Sequence, residues 1–236
     1  MRIHWREETE STNIDARAGA HGDVFVADFQ HAGRGRLDHV WKAARGENLT
    51  FSVVLSGGGK DPADVATLPL VVGLAVLRGA GRMLGSSGVR LSLKWPNDVL
   101  VSGRKLAGIL CERLGEDVIA GIGLNVNQTQ FPPDIAERAT SLALLDGRTF
   151  DRKSVLSSVL EELESCHSQW LREGFAALHP AIRKVDCLEG RIVSVRQIDS
   201  DSAPLVGKCE GIGSDGTLLV AGRPVAAGEA HIESAQ

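Results

Sequence analysis

The chain has 236 residues, 43% hydrophobic and 24% charged, with a formal net charge of −4. Such a length can bury a sizeable core without disulfides or metals, either as one large domain or as a medium domain with a small appendage. The acidic balance excludes general nucleic-acid binding, so a basic site has to be local.

The first residues, Met1 to Glu8, lack the apolar core of a secretory signal. The longest apolar run, Leu68 to Leu77, is short for a bilayer and contains Gly73, so no membrane span is expected. Cys111, Cys166, Cys187 and Cys209 are widely spaced with no Cys-x-x-Cys pair, which reads as free thiols in a reducing cytoplasm. The histidines show no metal-ligand spacing, and no resident metal is expected.

Taken in order, Arg2 to Glu7 reads as a short strand. Ser11-Thr12-Asn13 offers helix N-cap groups and Gly19 a stop, so a short helix should lie between them. Val24 to Ala27 looks like a buried strand, and His31 to Gly46 a loop rich in glycine and arginine. Asn48 to Leu55 is strand-like again. Asp61-Pro62 starts a helix that Pro69 kinks or restarts, because proline lacks the N–H that a helix interior needs. Gly85 can end that helix. Strands follow at Leu91–Trp95, Val99–Val101, Leu106–Arg113 and Val118–Leu124, and Pro132-Pro133 breaks the chain.

Asp151 can cap a long amphipathic helix in which Val155, Leu156, Val159, Leu160, Leu163, Cys166 and Trp170 recur at helical spacing. After Leu188 come short strand-like runs (Arg191–Val195, Gly207–Ile212, Thr217–Val220, Arg223–Val225) separated by turns such as Ser214-Asp215-Gly216. The layout is an α+β domain over 1–186, followed by a small all-β domain, a sheet or barrel, over 187–236.

Several segments carry residues suited to chemistry. In Gly33-Arg34-Gly35-Arg36 the glycines let backbone approach a ligand, and the arginines add fixed positive forks for an anion. Lys94-Trp95-Pro96-Asn97-Asp98 sets a lysine, an amide and a carboxylate at a strand end, where the proline favours extended backbone before it. Lys105 opens an otherwise apolar strand, and Gly121-Ile122-Gly123-Leu124-Asn125 ends another. Each has an ordinary structural explanation: a solvated loop, a plain turn, a lysine snorkelling to solvent, another turn. Two tempting motifs fail. Gly57-Gly58-Gly59-Lys60 is followed by Asp61 instead of Ser or Thr, so it is not a phosphate loop, and Gly121-x-Gly123 lacks the third glycine of a dinucleotide fingerprint.

In combination these segments resemble the bacterial biotin protein ligases. The family order is Ser-Thr-Asn near a first helix, a Gln to Gly-Arg-Gly-Arg to Trp loop, Lys-Trp-Pro-Asn-Asp, Lys-Leu-Ala-Gly-Ile-Leu and Gly-x-Gly-hydrophobic-Asn. It is met here by Ser11–Asn13, Gln30 through Trp41, Lys94–Asp98, Lys105–Leu110 and Gly121–Asn125. The resemblance covers nearly the whole chain. It implies a mixed sheet flanked by helices, akin to the catalytic domain of class II aminoacyl-tRNA synthetases, and a small C-terminal β-barrel. It also implies a two-step reaction. The biotin carboxylate attacks the α-phosphorus of ATP to give biotinyl-5′-AMP and pyrophosphate, and a lysine of a biotin carboxyl carrier protein then attacks the anhydride and releases AMP.

By the same resemblance, Ser11, Thr12, Asn13 and Gln30 would bind the ureido ring of biotin. Gly33, Arg34, Gly35, Arg36, Lys105 and Gly108 would surround its carboxylate, with Lys105 and Arg34 as the catalytic groups. Arg36, Trp41, Lys94, Asn97 and Asn125 would hold the nucleotide. Magnesium is expected to arrive with ATP, held largely by phosphate oxygens. The chain departs from the family where His39 replaces a frequent arginine, where Asp38 adds a negative charge, and where Glu233 stands at an often basic position. Because the chain opens almost directly on the first motif, a DNA-binding repressor role is not expected, while a homodimer is left open. The loop over 32–47 is expected to be mobile until ligand arrives, since it has no apolar stripe and Arg34 and Arg36 should repel. The rivals are a lipoate or octanoate ligase, which the intact Gly-Arg-Gly-Arg loop disfavours, a non-catalytic biotin or nucleotide sensor, and, more distantly, a nucleic-acid-binding module.

Overall fold

Period-2 alternation in the central strands divides the molecule into a helix-covered face and a polar face. Strand β3 (Leu49–Ser56) sends Leu49, Phe51, Val53 and Leu55 into the main core, while Thr50 and Ser52, also buried, alternate with them. The computed structural model describes residues 1–37, 39–85, 87–198 and 203–233. With β1 (Arg2–Thr9), β2 (Asp23–Gln30), β4 (Leu91–Lys94), β5 (Asp98–Val101), β6 (Arg104–Leu114) and β7 (Asp117–Leu124), β3 forms a seven-stranded sheet in the order β1-β2-β3-β7-β6-β5-β4. β1 and β2 are parallel and every other neighbouring pair is antiparallel, so the sheet is mixed.

Helix α1 (Thr12–Ala16) lies against the polar face, where Ala16 joins Phe25, Val54 and Ile119 in a small cluster. It is shorter than Gly19 suggested, ending at Ala16 with Arg17 as its cap. After α2 (Pro62–Val65), Pro69 begins a second helix instead of kinking one, and α3 (Leu68–Leu84) runs across the core side of the sheet. The stretch Pro62–Leu84 is long and apolar enough to cross a membrane by composition, yet 61% of its most apolar window is buried inside the fold. α5 (Arg152–Glu173) packs on α3 at Gly79, where a Cβ would come within 2.7 Å of Val159 Cα. Asp151 caps α5 by accepting from Ser154 N at 3.0 Å, as its sequence position predicts. Trp170 closes the layer by donating to Thr67 Oγ1 at 3.0 Å.

Three short helices escape the sequence reading, α4 (Leu142–Asp146), a 3-10 turn (Phe175–Ala177) and α6 (His179–Lys184), as does the final strand of the chain. None is long enough to display a period. The C-terminal segment folds as β8 (Ile192–Gln197), β9 (Leu205–Ile212), β10 (Leu218–Val220), β11 (Arg223–Val225) and β12 (Gly228–Ile232), an antiparallel sheet ordered β11-β10-β9-β8-β12. Among the described residues β11 and β12 are its edges, and the segment forms the small antiparallel sheet that the sequence reading offered beside a barrel.

The two sheets share one core. Val193, Val195, Cys209, Ile212, Leu218, Val220, Val225 and Ala230 belong to the same buried cluster as α3 and α5. Residues 185–187 form the joint: Leu93 N donates to Val185 O at 2.7 Å and Cys187 N to Leu93 O at 2.9 Å. Trp95 Nε1 then reaches across to Gly216 O at 3.1 Å.

Candidate active site

The polar face of the sheet forms the floor of a partly open cavity. Pairing of β6 with β7 puts Gly108 opposite Gly123, Leu110 opposite Gly121 and Glu112 opposite Ile119, all on this face. The glycines make space. A Cβ on Gly123 would stand 2.2 Å from the Trp41 indole, and one on Gly121 would stand 2.2 Å from Asn13 Oδ1. At Gly108 a Cβ would lie 2.9 Å from Lys105 Cε and 3.3 Å from the Trp41 ring. The Gly121-x-Gly123 pair therefore has a use, though not in a dinucleotide fold: it seats two side chains against bare backbone.

Ser11, Thr12, Asn13, Gln30, Arg34, Gly35, Arg36, Trp41, Lys94, Asn97, Lys105 and Gly108 all line this one cavity. Two expected residues do not. Gly33 lies just outside, where its carbonyl accepts from Trp41 N at 2.9 Å and a Cβ would collide with Trp41 O at 2.6 Å. Asn125 is buried, and its Nδ2 donates to Thr140 O at 3.0 Å and to Lys105 O at 3.4 Å, so its amide braces the floor and does not face a nucleotide. Residues to which the resemblance assigned no ligand also enter the lining, notably Asp98, Gly121, Gly123 and Glu229.

At one end of the cavity the start of α1 presents a directional network. Gln30 Oε1 accepts from Thr12 N at 2.8 Å and Thr12 Oγ1 at 3.1 Å, which leaves its Nε2 as the donor for a ligand. Ser52 Oγ stands 2.6 Å from Asn13 Oδ1, and Asn13 Nδ2 donates to Glu112 at 2.6 Å. Ser11 is the N-cap of α1 but makes no side-chain capping bond.

Positive charge gathers further along. Lys105 Nζ is 2.7 Å from Asp98 Oδ1, a close ion pair without hydrogen-bond alignment, and 5.8 Å from the Trp41 ring centre. The lysine backbone is pinned on both sides, its N donating to Arg138 O at 2.7 Å and its O accepting from Thr140 N at 3.0 Å. Asn97 Nδ2 ties the β4–β5 turn to Ile109 O at 2.8 Å. Arg36 donates to Gly228 O at 3.2 Å, linking the loop to the second sheet. Burial lowers its pKa, opposed by the charges of Asp98 and Glu229.

The arginine loop is more firmly tied than its composition suggests. Arg34 and Arg36 do not face each other unpaired, because Arg34 reaches Glu112 at 3.0 and 3.2 Å while Arg36 turns to β12. Gly35 N donates to His39 O at 2.6 Å, Arg34 bridges Val40, and Trp41 supplies the apolar anchor missing from a stripe-based reading. His39 lines the cavity, whereas Glu233 is exposed and lies outside it, its N–H donating to Ile192 O at 2.9 Å. Glu229 is the acidic residue of the last strand that reaches the site. Asp38 lies outside the described residues.

The family model for the biotin/lipoate A/B protein ligases matches residues 2–128, which hold nearly all of this cavity. The chain belongs to the biotin/lipoate A/B protein ligase family. It is 31% identical over 226 residues to a biotin–[acetyl-CoA-carboxylase] ligase of Paracoccus denitrificans, a match covering 91% of this chain and 92% of that protein. It is 32% identical over 209 residues to the bifunctional ligase/repressors of Bacillus spizizenii and Bacillus subtilis, covering 84% of this chain but only 61% of their length. Among solved structures it superposes on a biotin protein ligase from Aquifex aeolicus in complex with biotin and ATP, with a TM-score of 0.87, 29% identity and 99% coverage of both chains. The mixed sheet flanked by helices and the C-terminal antiparallel sheet are thus the biotin protein ligase fold.

Proposed function

We propose that this protein activates biotin with ATP and transfers it to a lysine of a biotin carboxyl carrier protein. The observation that carries this reading is the convergence of a polar ring-binding end, Lys105, Arg34 and Arg36, and Trp41 in one cavity. Relatives named as biotin ligases, one of them solved with both biotin and ATP, support it.

In the first step a carboxylate must approach a triphosphate. Two unit charges at 4 Å repel by about 4 kcal/mol at a surface-like dielectric, so the site has to supply fixed cations. We assign Lys105 and Arg34 to the carboxylate and acyl-phosphate oxygens, Arg36 and Lys94 to the phosphates, and Ser11, Thr12, Asn13 and Gln30 to the ureido ring. Trp41, its Nε1 buried without a partner, would lie beside the adenine, with Asn97 holding the turn beneath it. The biotin oxygen forms the bond to the α-phosphorus as pyrophosphate leaves. In the second step the carrier lysine, as the neutral amine, attacks the acyl carbon and AMP leaves, with Lys105 stabilising the developing oxyanion. No covalent enzyme intermediate is needed.

No cluster of three His, Cys, Asp or Glu groups suited to a metal occurs among the described residues. Magnesium would enter on ATP, held largely by phosphate oxygens, with Asp98 and Glu229 as the carboxylates of the cavity lining. The four thiols are free, and burial pushes Cys111 up to about 12 and Cys187 and Cys209 to about 11. We further propose that 1–186 is the catalytic unit and 187–236 an appended one, and that the chain as a whole binds no specific DNA.

Incubation with ATP, magnesium, biotin and a purified carrier domain, followed by mass spectrometry, tests the assignment. A biotinyl mass increase on the carrier lysine is expected. No biotinyl increase, with a lipoyl or octanoyl mass increase when that acid replaces biotin, would move the protein to the other branch of its family.

A further inference from the structure

We infer that Glu112 is a positioning residue that binds the two ends of the cavity into one unit, an inference that rests on the biotin-ligase reading. Glu112 sits on β6, with its side chain 24% exposed and on the cavity face of the sheet. Its carboxylate accepts from Asn13 Nδ2 at 2.6 Å and from Arg34 at 3.0 and 3.2 Å, with Arg17 a further 3.7 Å contact. One acid thereby touches α1, the cap of α1 and the arginine loop.

The consequences follow from hydrogen-bond direction. An ionised carboxylate only accepts, so the Asn13 amide must present Nδ2 to Glu112 and Oδ1 to Ser52. Asn13 is 4% exposed and pressed against Gly121, and a flipped amide would set its Oδ1 against the Glu112 carboxylate, two acceptors face to face. Glu112 thus fixes which pattern of donors and acceptors the ring-binding end offers. The same carboxylate is the anion that Arg34 holds before a substrate anion arrives. When a ligand carboxylate takes over Arg34, Glu112 keeps Asn13, so filling one end does not disorder the other.

A glutamine at this position can accept at only one oxygen, and its amide nitrogen can face Asn13 either way round. Bonds to a charged group are strong enough that their loss should weaken substrate binding about tenfold. The test compares the parent with Glu112→Gln and Glu112→Asp, all first checked for folding by circular dichroism. Two readouts are used: KM and kcat for biotin in ATP–pyrophosphate exchange, and the rate of tryptic cleavage after Arg34 without ligand. For Glu112→Gln we expect KM to rise about tenfold, kcat to stay within about threefold, and cleavage after Arg34 to quicken about fivefold. Glu112→Asp should recover part of both.

Parental KM and parental cleavage in Glu112→Gln would overturn the inference. So would a loss of kcat at unchanged KM. If Glu112→Gln fails to fold, Glu112→Asp decides: intermediate values support the role, and parental values overturn it. Absence of biotin-dependent exchange in the parent would defeat the biotin-ligase reading instead. The cleavage comparison would then still judge whether Glu112 holds Arg34.

Discussion

The floor of the cavity and the loop above it are ordered by different means. On the floor, β6 and β7 are fixed by a continuous ladder, and glycines at 108, 121 and 123 leave hollows for Lys105, Asn13 and Trp41. In the loop over 32–47 little ladder is present, and side chains reach outward for partners: Arg34 to Glu112, Arg36 to Gly228 and Arg45 to Glu8 at 2.7 Å. A change at a floor glycine should therefore act through shape, and one in the loop through charge and order. Exposed ion pairs contribute only about 0–1 kcal/mol each, whereas overpacking a dense site costs about 1–3 kcal/mol.

The largest effect should follow Lys105→Ala. Removing an electrostatic contact in a dry site costs about 3 kcal/mol of barrier, or a slowing of about 100-fold. The melting temperature should hardly move, because the Lys105 side chain is 38% exposed and its strand is held by backbone bonds. Parental turnover in single-turnover assays would show that Lys105 is only a snorkelling surface lysine.

The glycines sharpen the comparison within the floor. Gly123→Ala forces the rigid Trp41 ring aside and should raise KM for ATP, whereas Gly121→Ala displaces Asn13 and should raise KM for biotin. Each should also destabilise the protein by about 1–3 kcal/mol in urea titrations. Equal effects of both variants on both substrates would remove the division of the floor into a ring end and a nucleotide end.

A third effect lies at the joint between the sheets. Burial raises the Asp186 carboxyl from 3.8 to about 6. The stability tied to its protonated form is complete below pH 3.8 and is lost as pH rises through about 6, where the folded state must hold a buried charge. Asp186→Asn cannot titrate. Its stability relative to the parent should grow between pH 4 and pH 7 by on the order of 2 kcal/mol. A difference independent of pH, measured by thermal melts, would show that the carboxyl is not desolvated there.

The smallest effect belongs to the loop. Tryptic cleavage at Arg34, Arg36, Lys42 and Arg45 should slow when biotin and ATP are added, since the ligands give the arginines stronger anions than Glu112. Cleavage rates unchanged by ligand would mean that the loop does not close on it.

Much of this was legible in the sequence because strand and long-helix periods survive without tertiary context. Val155 to Trp170 and the runs of β3 and β7 report their own burial. The site residues were legible through motif order, but not their partners. Nothing local in Cys111-Glu112-Arg113 says that Glu112 faces Asn13 and Arg34, since that contact spans 99 and 78 residues of sequence. Asn125 looked like a ligand group because a turn asparagine and a buried brace read alike. Gly121-x-Gly123 gave the one usable hint, as paired glycines in a strand mark a close approach. Short helices such as α4 and α6 leave no period to read.

The most direct test of the central claim is exchange of labelled pyrophosphate into ATP by the protein with magnesium, with and without biotin, and with no carrier present. Adenylation on this cavity predicts exchange that appears only with biotin and falls about 100-fold in Lys105→Ala. Exchange at background level by the folded parent protein in the presence of biotin would contradict it.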